Sequence, residues 1–140
     1  MGDGLFITCF YYNASLDRGK DEQRYWEQQK FFDMLRKIPG FTIILCRMRK
    51  HGTDKNQHFD VKGDDVHLAV DLVSGAYENL YDVAIIVSGD EDFVPAIQKA
   101  QKLGKKIVAA YFWSSISSYL RQVCDDSICL DRITEQVRLD

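Results

Sequence analysis

The stretch from Asp82 to Phe93, DVAIIVSGDEDF, limits what this chain can fold into more than any other. Val83 to Val87 is an unbroken apolar run of strand length, rich in β-branched residues. Such a run suits a strand covered on both faces, as in a parallel sheet between helices. Ser88 and Gly89 break it, and Asp90, Glu91 and Asp92 follow before an apolar helical pattern begins at Phe93. In open α/β sheets ligands bind at the carboxyl edge of the strands. Carboxylates crowded there repel one another, which a bound cation relieves. The stretch therefore predicts a divalent-metal site at the carboxyl edge of a sheet.

The flanking sequence supplies the sheet and its cover. Leu5 to Tyr12 reads as a strand, Asn13 to Lys20 as a polar loop, and Asp21 to Ile38 as a helix with acids at its amino end, closed by Pro39 and Gly40. Phe41 to Cys46 is a second strand. From Gly63 or Asp64 to Tyr77 the pattern turns helical, and at 100° per residue Asp65, Ala69, Leu72, Val73 and Ala76 share one arc. Asp65 is thus expected to start the apolar stripe and face the sheet, where a carboxylate needs a cation or hydrogen-bond donors. A plain helix-dipole or capping role is the other reading of the same residue. Phe93, Ile97, Ala100 and Leu103 form the stripe of a further helix, with Pro95 in its first turn and Gly104 at its end. Lys106 to Trp113 reads as a buried strand, Ser114 or Ser115 as the cap of a short helix reaching Val123, and Ser127 to Leu130 as a short last strand. Alternating strands and helices predict an α/β fold: a three-layer sandwich with a mostly parallel central sheet.

Between residues 47 and 62, Arg47, Arg49, Lys50, Lys55 and Lys62 outnumber Asp54 and Asp60, in a chain whose net charge is -3. A solvated loop accounts for this as well as function does, yet a polyanionic substrate would need such a counterweight to the acids. At 140 residues the chain reads as one domain, residues 1–140, able to bury a core without disulfides. Cys9, Cys46, Cys124 and Cys129 contain no C-x-x-C pair, which argues against zinc and for buried, reduced thiols in the cytoplasm. No apolar stretch reaches the roughly 18 residues that span a bilayer, and no leader pattern opens the chain. Tyr11, Tyr12, Phe31, Phe32, Tyr111, Phe112 and Trp113 read as core and sheet residues rather than base-stacking platforms. His51 and His58 read as solvated residues of a polar loop.

Several separated pieces together resemble the NYN domain, in its LabA-like branch, within the PIN-like nuclease superfamily. They are CFYY at Cys9 to Tyr12, KGDDVHLAVDLVSGA at Lys62 to Ala76, YDVAIIVSGDEDFVPAI at Tyr81 to Ile97 and LGKKIVAAYF at Leu103 to Phe112, with SSYLRQVCDDSICL at Ser117 to Leu130 extending the likeness. The resemblance implies a PIN-like fold and a metal-dependent endoribonuclease, with acids from separate elements around Mg²⁺ or Mn²⁺. Asp65 matches the family's helix acid, Asp90 and Asp92 match the acids after the central strand, and Ser88 matches the serine before them. Asp71 matches a recurring aspartate, while Asp64 stands where the family often has an apolar residue. The family normally opens with a strand ending in an Asp-Gly-x-Asn type of sequence and a helix, whereas only four residues precede Leu5 here. The expectation is a shortened form that lacks the first family acid. The absent strand would be central to the sheet, and dimerisation through the edge so left is the corresponding expectation.

The expected activity is hydrolysis of RNA, single-stranded by preference. Asp65, Asp90 and Asp92 would be the metal-binding and catalytic acids, and Lys62, Ser88, Arg47, Arg49 and Lys50 the phosphate-binding groups. The alternative is a catalytically weak or inactive module that binds RNA or a protein. Receiver-like or phosphatase chemistry would need an early nucleophilic aspartate, and only Asp17, in a loop, stands near that place.

Overall fold

A computed structural model describes residues 7–51 and 58–137, with the backbone alone for 48–51, 58–62 and 137. The chain forms two compact units, residues 1–67 and 68–140.

In the first unit, β1 (Cys9–Asn13) and β2 (Phe41–Leu45) pair in parallel, from Cys9 opposite Phe41 to Asn13 opposite Leu45. The crossover is α1 (Glu22–Arg36), as parallel neighbours require. Asp21 caps it, its carboxylate accepting the Arg24 amide at 3.0 Å, and Glu22 and Arg36 suit the two ends of the dipole. Phe32 is the buried residue of α1, and its ring lies 6.5 Å from that of Tyr11, which also meets Phe41 at 6.3 Å. Gln28 ties the loop after β1 to the helix, donating to the Ala14 carbonyl at 3.0 Å and accepting the Leu16 amide at 2.7 Å.

The basic segment is not the expected loop. β3 (Arg47–His51) and β4 (His58–Lys62) form an antiparallel ribbon that sets Arg47 opposite Lys62 and His51 opposite His58. Backbone pairing across the ribbon supplies the order that its polar side chains did not advertise. Lys55 and Asp54 fall outside the described residues.

In the second unit, β5 (Val83–Val87), β6 (Lys106–Tyr111) and β7 (Asp126–Cys129) form a parallel sheet with β6 in the middle. α2 (Asp64–Tyr77) runs in from the first unit, α3 (Val94–Lys102) links β5 to β6, and α4 (Ser118–Val123) links β6 to β7. A final turn of helix, α5 (Thr134–Val137), follows. Leu72 and Ala76 of α2, Ile97 and Ala100 of α3 and Leu120 of α4 meet Ile86, Ile107 and Ala109 of the sheet in one core. The Tyr81 hydroxyl donates to the Leu72 carbonyl at 2.6 Å, which joins the end of α2 to the start of β5. Gly104 has φ of 85°, the left-handed ending expected of a residue just past α3. Asp125 fastens the opposite end of the sheet: one carboxylate oxygen accepts the Ile107 amide at 2.8 Å and the Gln101 amide nitrogen at 3.1 Å.

Four further expectations change. β5 is not covered on both faces: Val83, Ile85 and Val87 are 49%, 59% and 67% exposed. It is an edge strand of its sheet, and the helical core meets only the face carrying Ile86. β6 ends at Tyr111, and Trp113–Ser115 form a 3-10 turn, so α4 is capped by Ser117 rather than by Ser114 or Ser115. Of the aromatics assigned to the core, Phe32 and Tyr111 are buried but Phe31, Phe112 and Trp113 are exposed. Of the cysteines, all free, only Cys124 is buried, and its burial, with the Asp125 charge adding to it, pushes the thiol up from its ordinary value.

Candidate functional site

The carboxyl end of β5 turns sharply. Ser88 Oγ accepts the Asp90 amide at 3.1 Å, and Asp90 Oδ1 accepts the Asp92 amide at 2.9 Å, so each short polar side chain folds the backbone two residues ahead of it. A 3-10 turn, Glu91–Phe93, leads into α3, and the buried Phe93 and Val94 anchor it below.

The turn is also held from the side by the segment after β6. The Ser117 amide donates to the Gly89 carbonyl at 3.1 Å, and Ser117 Oγ donates to Glu91 Oε2 at 2.9 Å. Gly89 passes so close that a Cβ there would lie 1.7 Å from the Ser115 carbonyl oxygen, a distance no side chain tolerates. Glu91 is thus bound into the scaffold. Asp90 and Asp92 remain exposed, and neither lies in an ion pair among the described residues.

Their donors are all oxygen, the chemistry suited to a hard cation such as Mg²⁺ or Mn²⁺. Among the described residues no group of three or more His, Cys, Asp and Glu side chains is gathered to hold a metal. A shallow recess of about 190 Å³ adjoins the turn, lined by Val87, Ser88, Gly89, Ala110, Tyr111, Phe112 and Ser115.

The remaining expected site residues belong to the first unit. Asp65 is exposed in the first turn of α2 and has an interaction partner within the chain. The buried stripe includes Leu72 and Ala76, whereas the carboxylate of Asp65 keeps its solvent. Asp64 is half-buried and, after burial itself, helps raise the Cys46 thiol. Arg47 is exposed on β3, while the side chains of Arg49, Lys50 and Lys62 lie outside the described residues. One participant escaped the sequence reading, Ser117, and with it the bond that ties Glu91, one of the three expected carboxylates, into the scaffold. The serine preceding the α4 pattern was a usable capping signal, but nothing linear links it to Glu91.

Among the described residues no helix is long and apolar enough to cross a membrane. The chain is 31% identical over 121 residues to uncharacterized protein MJ0482 of Methanocaldococcus jannaschii, covering 79% of this chain and 49% of that protein. It therefore spans about half the length of the curated relative it matches. A crystal structure of VPA0982, a protein of unknown function from Vibrio parahaemolyticus RIMD 2210633, superposes with a TM-score of 0.66 at 24% identity, over 89% of this chain and 69% of that one. That likeness bears on the fold alone. The NYN domain family matches residues 3–131, nearly the whole chain. With its α/β architecture and parallel strand pairing, the chain belongs to the NYN domain family, within the PIN-like nuclease superfamily.

Proposed function

We propose that this chain is a metal-dependent endoribonuclease that hydrolyses phosphodiester bonds in single-stranded RNA. NYN domains typically bind RNA, and nucleases of the PIN-like superfamily generally use divalent ions. The observation that carries the reading is the pair Asp90 and Asp92, exposed at the carboxyl edge of a parallel sheet, on a turn fixed by its own hydrogen bonds and free of ion pairs among the described residues.

In this reading Asp90 and Asp92 would hold one Mg²⁺ or Mn²⁺, and Asp65 remains the further acid that the family resemblance nominates. When bound, such an ion polarises the scissile phosphate and lowers the pKa of an attacking water. Asp90 orients through the Asp92 amide, which fixes its carboxylate before substrate arrives. Ser88 accepts from the Asp90 amide, so its own proton is available to a phosphate oxygen. Arg47, Arg49, Lys50 and Lys62 offset the charge of the phosphate backbone. The chain acts in the cytoplasm, where free thiols stay reduced.

Cleavage of single-stranded RNA with Mn²⁺ tests the reading. The unaltered chain cleaves, and Asp90→Asn is about 100-fold slower or worse. Equal rates contradict it. A second reading is a binding module without turnover. RNA binding that persists in EDTA, with no cleavage in Mn²⁺, identifies that case. Pairing with a second copy through the edge left by the family's absent first strand is part of the same proposal. Sedimentation as a monomer at high micromolar concentration contradicts that pairing.

A further inference from the structure

The segment after β6 carries a surface that the hydrolytic reading leaves unused. Trp113 is 64% exposed and Phe112 47% exposed, although the strand they follow is buried from Ile107 to Tyr111. Two adjacent aromatic side chains exposed together offer a flat apolar surface that a planar ligand could cover.

Trp113 is also held in place. Its amide donates to Asp131 Oδ2 at 2.7 Å, and its ring lies 6.3 Å from the buried ring of Tyr111. The Arg121 guanidinium sits over both rings, 5.6 Å from the centre of Trp113 and 5.8 Å from that of Tyr111. No ion pair with a described residue occupies Arg121. Phe112 lines the recess that it shares with Ser88 and Gly89, immediately before Asp90. Ser114 and Ser115 complete the 3-10 turn that carries Trp113, and Ser115 Oγ donates to the Phe112 carbonyl at 3.3 Å.

We propose that Phe112, Trp113 and Arg121 form a base-stacking subsite for unpaired nucleotides of single-stranded RNA, beside the acid turn. The proposal rests on the reading of the chain as a protein that acts on RNA. Fixed aromatic faces accept any base, and a stacked guanidinium adds a cation–π contact and donors for a phosphate. Charge alone would serve poorly here: the chain carries a net charge of -3 and the neighbouring turn bears three acids, so attraction must come in good part from the base faces. A protein partner would be the competing occupant. The small, serine-flanked surface and the free guanidinium favour a nucleotide over an apolar protein face.

The test is fluorescence anisotropy of the full chain in EDTA, at one fixed salt concentration, with a labelled oligouridylate and an abasic oligomer of the same length. The oligouridylate binds about tenfold tighter than the abasic strand. Trp113→Ala loses about tenfold in affinity for the oligouridylate and almost nothing for the abasic strand, while Trp113→Phe stays within about twofold of the unaltered chain. Equal affinity for the two oligomers, or a Trp113→Ala protein that binds like the unaltered one, overturns the subsite. Absence of binding to either oligomer also overturns it and leaves the aromatic surface to a protein partner. The comparison of oligomers needs no variant, so a misfolded mutant cannot decide the matter. Base preference without cleavage in Mn²⁺ supports the subsite and defeats the nuclease reading. Cleavage in Mn²⁺ without base preference does the reverse.

Discussion

β5 and β6 are parallel neighbours in the second unit with closely similar make-up, VAIIV against KIVAAY, yet they occupy different surroundings. β6 is buried from Ile107 to Tyr111, with a strand on each side. Among the described residues β5 has a partner on one side only, and it buries Ile86 while Val83, Ile85 and Val87 are exposed. An apolar, β-branched run therefore specifies a strand without specifying its cover, because cover is contributed by other elements. The contrast also has a functional side. The buried strand ends in exposed aromatic residues, and the half-bare strand ends in exposed acids. The sheet's carboxyl edge thus carries two kinds of chemistry on adjacent strands.

Substitutions along the two strands can sharpen or break this contrast. Ile107→Ala, at a position with no exposure, should cost about 3–4 kcal/mol in urea unfolding, through lost burial and a cavity beneath three helices. Gly89→Ala should cost about 2 kcal/mol and slow RNA cleavage, since a methyl group would strike the Ser115 carbonyl and push the acid turn out of place. Unchanged stability and rate would mean that the two strand ends are not tied together as described.

Asp125→Asn should cost about 1 kcal/mol, by weakening the charge-assisted bonds to the Ile107 amide and to Gln101. The pH dependence follows from the same group. The Ile107 amide first, and Gln101 next, hold the Asp125 carboxyl below its ordinary value in the folded chain. Its contribution is therefore present above the ordinary carboxylate range and is lost as pH falls through the lowered folded value. Unfolding midpoints measured against pH should fall on the acid side, and Asp125→Asn should remove part of that slope. The smallest effect belongs to Ile85→Ala, under about 1 kcal/mol, because the side chain is largely in water already. A loss at Ile85 matching that at Ile107, growing with protein concentration, would show that a second copy covers the bare face.

Much of the fold was legible because it is local. The pattern that marked a helix from Gly63 or Asp64 to Tyr77 agrees closely with α2, and the switch from Val87 to Ser88 and Gly89 marked the strand end and its turn. The acids at Asp21 and Glu22 marked the amino end of α1, where Asp21 stands just before the helix as its cap. What stayed hidden depends on distant partners. The β3–β4 ribbon lacks apolar alternation, so its charges suggested a loop although backbone pairing orders it. Trp113 sits at the end of an apolar run and looked like its continuation, but the strand stops two residues earlier and the 3-10 turn carries the ring into solvent. The Asp125 fastening and the Ser117 bond to Glu91 join residues 18 to 26 positions apart, beyond any short motif. For the candidate site, the acids were legible by type and spacing, while the hydrogen bonds that hold Asp90 and Glu91 came from the folded turn and its neighbour.

The proposed hydrolysis requires Asp90 and Asp92 to serve one cation. Calorimetric titration of Mn²⁺ into the unaltered chain, Asp90→Asn, Asp92→Asn and the double variant tests this most directly. If both acids hold the same ion, each single substitution weakens binding, and the double variant loses less than the two single losses combined, by roughly 0.5–3 kcal/mol. An Asp90→Asn protein that binds Mn²⁺ as tightly as the unaltered chain contradicts it.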